Sequence, residues 1–545
     1  MSFESSNSAR YTQGSIFDRF DSLSEKARKW ILNSKYATFH TDIYPNIDVD
    51  SYQVLYTDKG RSPTTVRDMV MALILQSEEN LTVDSLIFRM NTDIAFQYVF
   101  GLTGYQMECP ISRSNYFAFL ARLDQYEEET GINLIKQTVK RLSVRIGKEL
   151  GYDLEKALDG VRIKARMDSM LIESFSKRFP RAGIIYRCNY GALNLYARLE
   201  GKAGIPSNLL HYFEEDDMNR QIYHLQKSQT SRLTALLEES IQIRDLMPED
   251  DWKEFAEYKN LSRAIGDQGS IQDDGSVIPK ENKEIKGTSL QSPYAPETTA
   301  RTKNHKTTVG DAVNFVELYG NGASIILDGD IKPSIYADQS FSKDIIDAKD
   351  PETAEIEMTV DGAYFTVELM YEAAEKGIIL LPTALTGTQT NPLFSEFNLS
   401  EDGRTLLTCP NQVEAIEQRF DENHGVIIAR FDKAACASCP FAAQCPCHRQ
   451  VKSNVVRISH ETVDRAEVQS SLGSDEHTRV AHARNGVEAI PSIMRRKYDI
   501  DHFRSNRTPI RKLKLFGAIM CYNCQKLTSF RRRQGVTMPI CSLAA

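Results

Sequence analysis

Two aspartates follow patterns that would hold them at the ends of strands. Asp168 ends a stretch beginning at residue 161 in which apolar and basic residues alternate with the period of a half-buried strand. Asp361 ends a second predicted strand, and Gly362 permits the turn into the helix that follows. Open α/β sheets place their functional sites at strand ends. A single aspartate there is also a common cap or turn residue, so each position alone leaves both interpretations open.

A third carboxylate, Glu488, lies in a basic stretch. Arg484 precedes it by four residues and Arg495 follows it by seven, so one continuous helix would carry all three side chains on the same face. A surface ladder of ion pairs would have the same spacing. Pro491 would kink such a helix. Asn485 could instead cap it, with Glu488 three residues later as in a capping box.

Five of the ten cysteines fall within residues 409–447, a clustering that indicates metal or redox chemistry rather than disulfide bonds in a cytosolic chain. Zinc prefers four soft ligands in a tetrahedron, and a Cys-x-x-Cys turn supplies two of them. The four thiols that we expect to bind zinc are Cys409, Cys436, Cys439 and Cys445. Cys447 and His448 are further candidates. Reduced thiols packed in a small β-rich segment are the alternative.

Composition and charge narrow the class of protein. The 545 residues are 41% hydrophobic and 26% charged, which is typical of two or three globular domains and excludes a disordered or fibrous chain. From residue 449 onward there are 18 Lys and Arg against 8 Asp and Glu, although the whole chain carries a net charge of −8. A basic region on an acidic chain is typical of contact with nucleic acid. A solvated charged surface is the alternative.

Several functions are not supported by the sequence. It contains no Gly-rich phosphate-binding motif for nucleotides and no Gly-x-Ser-x-Gly. No apolar run approaches the ~20 residues of a membrane helix, and the first residues do not have the basic start and apolar stretch of a secretory signal. We therefore expect a cytoplasmic protein without membrane contact.

The elements that must position these residues point to an α/β fold. Short helices are predicted within 61–123 and a long one over 127–150, so that a helical domain at 61–150 follows a lead-in at 1–60. Such helices suit a DNA-binding helix-turn-helix module, and any small helical bundle equally well. The later predicted elements are strands near 161–168, 312–318, 324–327, 355–361 and 377–381, a helical segment and linker at 190–306, a cysteine-rich β insert at 395–457 and a basic helical region at 480–530.

Taken together, the three carboxylates resemble the acidic triad of DDE transposases of bacterial insertion sequences. One branch of that family has a Tyr-(2)-Arg-(3)-Glu-(6)-Lys/Arg signature around its catalytic glutamate. Arg484, Glu488 and Arg495 match that spacing, whereas Ala481 stands where the tyrosine is expected. The third motif of this chain therefore departs from the family pattern at Ala481, and Pro491 is a second departure.

The resemblance continues elsewhere in the chain. Asp168-Ser169 and the segment Asp361–Tyr364 are similar to the family's first and second acidic motifs. The cysteine cluster lies between the second and third motifs, where related transposases carry a similar one. The resemblance extends over Arg61–Leu527, most of the sequence, through short motifs.

The resemblance implies a ribonuclease-H-like catalytic domain at 155–530. In it, Asp168, Asp361 and Glu488 would hold two Mg²⁺ or Mn²⁺ ions that assist cleavage at transposon ends and strand transfer to target DNA. It also implies a nucleoid-associated enzyme that binds double-stranded DNA as a homodimer or higher oligomer. The cations expected to contact DNA are Arg484, Arg495, Arg496, Lys497, Arg504 and Arg507. A catalytically inactive DNA-binding derivative, or an unrelated α/β protein with a zinc site, would also fit the motifs.

Overall fold

The computed structural model describes residues 18–56, 66–104, 107–155, 162–174, 179–218, 229–303, 305–320, 322–502 and 508–535. The predicted helix start at 61–65 and two of the expected DNA-binding residues, Arg504 and Arg507, lie outside these ranges. Among the described residues, no helix is both long and apolar enough to span a membrane.

A six-stranded mixed sheet forms the centre of the molecule. Its strands are β1 (Ile163–Glu173), β4 (Thr299–Lys303), β5 (Lys306–Gly320), β6 (Ala323–Pro333), β7 (Ile356–Val360) and β8 (Ile378–Pro382). Two further strands, β2 (Gly269–Ile271) and β3 (Val277–Pro279), form a small separate hairpin. β1 lies in the middle, antiparallel to β5 on one side and parallel to β7 on the other. β8 continues the parallel half, while β4 and β6 pair with β5. The predicted strands are therefore confirmed, and most are longer than expected.

Helices of the N-terminal part precede the sheet. They are α1 (Glu25–Leu32), α2 (Lys35–Thr38), α3 (Val66–Glu78), α4 (Val83–Thr92), α5 (Ile94–Val99), α6 (Arg113–Thr130) and α7 (Leu134–Glu149). The prediction of one long helix over 127–150 was wrong. Gly131 adopts a left-handed φ of 73° that ends α6, and the Asn133 side chain accepts the Lys136 N–H to begin α7.

Between β1 and β5 the chain forms a helical unit with its own hydrophobic core. Its helices are α8 (Arg181–Leu199), α9 (Gln229–Asp245), α10 (Glu249–Trp252) and α11 (Ala256–Gln268). The unit begins after Glu173 and ends before Thr299. Glu173 of β1 and Thr299 of β4 both pair with Gly310, on opposite sides of β5. Helices occupy much of the predicted helical segment, and the predicted linker contains the short strands β2, β3 and β4.

The remaining strands form a small second β region, and the remaining elements are helices. Its strands are β9 (Asn398–Leu399), β10 (Leu406–Thr408), β11 (Glu417–Asp421), β12 (Val426–Phe431), β13 (His448–Arg449) and β14 (Asn454–Ile458). The helices are α12 (Asp338–Asp347), α13 (Val367–Glu375), α14 (Lys433–Ala437), α15 (His460–Ser471), α16 (Asp475–Arg484), α17 (Ala489–Tyr498) and α18 (Thr508–Arg533). The sequence patterns did not predict α12.

The N-terminal helices and the sheet share one hydrophobic core, and α18 connects them. A Cβ on Gly517 would lie 2.2 Å from the Ser77 hydroxyl, so glycine permits α18 to approach α3 closely. On the other side of α18, the Asn523 amide bonds both the N–H and the C=O of Ile326 in β6. The sheet that carries Asp168 is therefore supported directly by the N-terminal helices and the C-terminal helix.

Candidate active site

Asp168 lies within the middle strand of the sheet, opposite Phe315 of β5. Because β1 continues to Glu173, the expected position of Asp168 at the end of a strand was wrong. Its side chain is 20% exposed, and its Oδ1 accepts a hydrogen bond from Arg484 at 3.1 Å. Burial raises the pKa of the Asp168 carboxyl, the Arg484 guanidinium opposes that shift, and the charges of Asp361 and Glu488 raise the pKa further. Asp361 and Glu488 are therefore both within electrostatic range of Asp168.

Asp361 stands directly after β7, the strand parallel to β1. Its Oδ1 accepts the Gly362 N–H at 2.8 Å, so it caps the short 3₁₀ turn Gly362–Tyr364, and its side chain is exposed. A Cβ at Gly362 would lie 2.5 Å from the Ala384 carbonyl oxygen. Glycine at 362 thus permits the close approach that fixes where Asp361 stands.

Glu488 is held by a turn rather than by a continuous helix. α16 ends at Arg484, the 3₁₀ turn Asn485–Glu488 follows, and α17 begins at Ala489. The expectation of one uninterrupted helical face was wrong, and so was the capping box at Asn485, because no side chain caps this turn. Pro491 is the third residue of α17, where a missing N–H costs no helical hydrogen bond.

Arg166, which sequence analysis did not single out, anchors this turn. It lies two residues before Asp168, pairs with Glu317 at 2.6 Å and donates to the Ala483 carbonyl. A Cβ at Gly486 would lie 2.2 Å from the Arg166 guanidinium, so the turn rests closely against that side chain. The alternation along β1 places Arg166 and Asp168 on one face of the sheet, a signal that was readable in the sequence.

The predicted cations have different surroundings. Arg484 contacts Asp168, and its buried Nε makes no hydrogen bond within the described ranges. Arg495 pairs with Asp501 at 2.9 Å and donates to the Leu171 carbonyl of β1. Both arginines therefore attach the segment around Glu488 to the central strand.

The two following cations differ from each other. Lys497 bonds Gln525 and lies 3.4 Å from the buried carboxylate of Glu78. Arg496 is exposed and has no ion pair among the described residues. Of the two, Arg496 is the more available to a ligand.

The three carboxylates are not assembled as a ready metal site. In the described part of the chain, no group of three or more His, Cys, Asp or Glu side chains could hold a metal ion. Their chemistry nevertheless suits a hard divalent cation, which prefers carboxylate oxygens. The mutual repulsion that raises the pKa of Asp168 is the interaction that a cation among Asp168, Asp361 and Glu488 would relieve.

The cysteines of the small β region pack against its core, except for Cys439. A hydrogen bond from the Cys447 thiol lowers the pKa of Cys445 to about 6, and the same bond raises the pKa of Cys447. The charges of Cys436 and Cys409 raise the pKa of Cys447 further. Cys447, which the sequence suggested only as a further candidate, therefore interacts with three of the four predicted zinc ligands.

A substitution at Gly362 tests the close approach beside Asp361. We expect Gly362→Ala to lower the free energy of unfolding by about 1–3 kcal/mol, because the added methyl overlaps the Ala384 carbonyl oxygen. Urea denaturation measures the change. Gly473→Ala is the matched control, since a Cβ there has no neighbour within 4 Å. Equal stabilities of the two variants would contradict the packing described for this turn.

Two segments of the chain match known protein families. Residues 39–122 match a transposase domain (DUF772), and residues 408–528 match a transposase DDE domain. These matches support a DDE transposase. No curated protein matches the chain, and no solved structure does.

The transposase DDE match contains Glu488 and the five clustered cysteines, whereas Asp168 and Asp361 lie outside both matched segments. The transposase domain match covers N-terminal helices whose buried residues include Phe39 and Tyr44, so it begins within the lead-in expected at 1–60. Both matches support an enzyme acting on DNA.

Proposed function

We propose that this chain is a DNA transposase that cleaves the ends of an insertion sequence and joins them to target DNA, using Asp168, Asp361 and Glu488. The observation that carries the proposal is that Asp361 and Glu488, from separate parts of the chain, act electrostatically on Asp168 of the middle strand. The strand order β6-β5-β1-β7-β8, with β5 antiparallel to β1, agrees with a ribonuclease-H-like core.

Mg²⁺ or Mn²⁺ would be held by these three side chains. When bound, a pair of such ions supplies an activated hydroxyl on one side of the phosphodiester and stabilises the leaving oxygen on the other. Asp168, on the rigid middle strand, provides the fixed oxygen donor. Asp361 and Glu488 would add further oxygen donors from the short turns that carry them.

Arg484 has a second role in this proposal. Its guanidinium donates to Asp168 at 3.1 Å and compensates the charge of that carboxylate. Arginine suits this position because its planar fork reaches two acceptors at once.

The decisive experiment compares wild-type protein with Asp361→Asn on DNA that carries the ends of an insertion sequence, in Mg²⁺ and in EDTA. Cleavage by the wild type in Mg²⁺ but not in EDTA supports the proposal. DNA binding by the wild type without cleavage would instead indicate a catalytically inactive derivative.

The proposal also includes action as a homodimer or higher oligomer on paired ends, and association with the nucleoid.

We also propose that the cysteine cluster holds one structural zinc ion. Cys409, Cys436 and Cys445 remain ligands, and the interactions among the thiols favour Cys447 over Cys439 as the fourth. The metal would fix a region whose own core is small.

Metal analysis of freshly purified, reduced protein tests this assignment. We expect about one zinc per chain, and we expect Cys447→Ser to lower the zinc content much more than Cys439→Ser does. The two variants are matched because each removes one partly exposed thiol from the same region. Absence of zinc from the wild type would refute the site, whereas a lower zinc content in Cys439→Ser alone would restore the ligand set predicted from sequence.

A further inference from the structure

A basic groove lies between α17 and α18 and continues to the β5–β6 turn. Its larger part has a volume of about 550 Å³ and includes Arg496, Lys526 and Arg533 in its lining. A second part of about 340 Å³ shares Lys526 and Arg533 and reaches Arg166. Because the two parts share two side chains, we treat them as one groove.

The lining of this groove contains five cations and, among the described residues, no carboxylate. Arg166 and Lys497 are compensated by the buried carboxylates of Glu317 and Glu78 behind the groove. The other three cations, Arg496, Lys526 and Arg533, have no ion pair within the described ranges. The groove therefore has uncompensated positive charge.

The cations of the groove repel one another. Burial lowers the pKa of Lys526, and the charges of Arg533 and Arg166 lower it further, although Glu317 opposes the shift. Crowding of like charges costs stability and is relieved when an anion binds among them. A solvated basic helix face would spread its charges apart, and it would not bring cations from two helices and a strand together.

The groove leads to the candidate catalytic carboxylates. At one end, Arg166 contacts the turn that carries Glu488 and lies two residues, about 7 Å along the strand, before Asp168. At the other end, Arg496 projects from α17, the helix that follows Glu488. A chain of phosphates in the groove would therefore pass next to the reacting centre.

We propose that this groove binds the sugar-phosphate backbone of DNA, with Lys526 and Arg533 of α18 and Arg496 of α17 as its phosphate contacts. This inference rests on the proposed function and adds to it the path of the DNA. It adds two residues of α18 to the DNA contacts expected near Glu488. It assigns Arg495 and Lys497 a positioning role, because both make contacts within the protein. Contacts of this kind hold the duplex without reading its sequence.

The test is DNA binding by the double variant Lys526→Gln/Arg533→Gln of the full-length chain. The probe is a random-sequence duplex of about 30 base pairs, followed by fluorescence anisotropy over a range of NaCl concentrations. We expect affinity to fall by roughly tenfold to a hundredfold, and the slope of log affinity against log salt to become shallower by about 0.9 for each phosphate that is no longer bound. The control, Arg145→Gln/Lys452→Gln, removes two exposed cations outside the groove and should bind as the wild type does.

Protection of Lys526 from acetylation gives a second measurement that does not depend on a variant. Mass spectrometry should show that the duplex shields Lys526 and leaves Lys452 reactive. Equal affinity and salt slope in the groove variant and the control, or an unprotected Lys526, would overturn the groove assignment. The proposed function would survive that result if the wild type still cleaved DNA in Mg²⁺ and Asp361→Asn did not. A wild type that bound no duplex at any salt concentration would overturn both proposals.

Discussion

The Asp361→Asn variant is expected to lose Mg²⁺-dependent cleavage of transposon-end DNA while it keeps its fold and its affinity for DNA. The substitution preserves the shape of the side chain, and the amide oxygen can still accept the Gly362 N–H. It removes one of three negative charges that would hold the divalent cations. We expect the cleavage rate to fall by at least about 10²-fold, the decrease typical of removing one group that stabilises a transition state electrostatically.

Glu375→Gln is the matched control for this experiment. Glu375 is exposed at the end of α13 and, like Asp361, loses one negative charge on substitution. Its cleavage rate should equal that of the wild type. Cleavage at the wild-type rate by Asp361→Asn would remove this residue from the catalytic site, and a parallel loss of DNA binding would indicate a structural role instead.

The largest expected effect on stability comes from Arg511, whose side chain is completely buried. Its guanidinium lies 2.9 Å from the carboxylate of Asp311, which is itself 3% exposed. Arg511→Met would leave that carboxylate buried without its partner. Because breaking one side of a buried ion pair strands the other charge, we expect the free energy of unfolding at neutral pH to fall by about 3–5 kcal/mol.

The pH dependence of this decrease has a definite sign. Burial raises the pKa of Asp311 to about 6 even though Arg511 opposes the shift. A folded-state pKa above the ordinary value means that this group destabilises the fold progressively as pH rises through about 6. Without Arg511 the pKa rises further, so the deficit of the variant should grow between about pH 5 and pH 7.5.

Urea denaturation of Arg511→Met at the two pH values measures this deficit. The control is Arg145→Met, which removes an exposed cation of α7 and should change stability little at either pH. A deficit that did not change with pH would contradict the role given to Asp311.

Sequence patterns were sufficient to predict elements that depend on the alternation of apolar and polar residues along one segment. The residues before Asp168 and Asp361 predicted their strands, because the period of two is a property of each strand alone. The end of α6 at Gly131 is also a local feature of the sequence. It was missed because apolar residues at helical spacing continue on both sides of Gly131. Local patterns of this kind fix where an element lies in the chain.

Other features depend on contacts between distant segments. Gly486, in the turn Asn485–Glu488, rests on Arg166, some 320 residues earlier in the sequence. Helical spacing around Glu488 could not reveal that contact. Likewise, the relation of Cys447 to Cys409 follows from the folding of the β region and not from their spacing. The candidate carboxylates could be proposed from sequence, but the contact between Arg166 and the turn of Glu488 could not.

The helical unit between β1 and β5 has an evolutionary consequence. Its two ends, after Glu173 and before Thr299, flank the same residue of β5 and are therefore about 10 Å apart. Its core is separate from the core beneath the sheet. A segment whose ends are close together and whose packing is self-contained can be lengthened, exchanged or removed without altering the strands that flank it. The helical unit can therefore diverge in length and sequence while β1 and β5 keep their pairing.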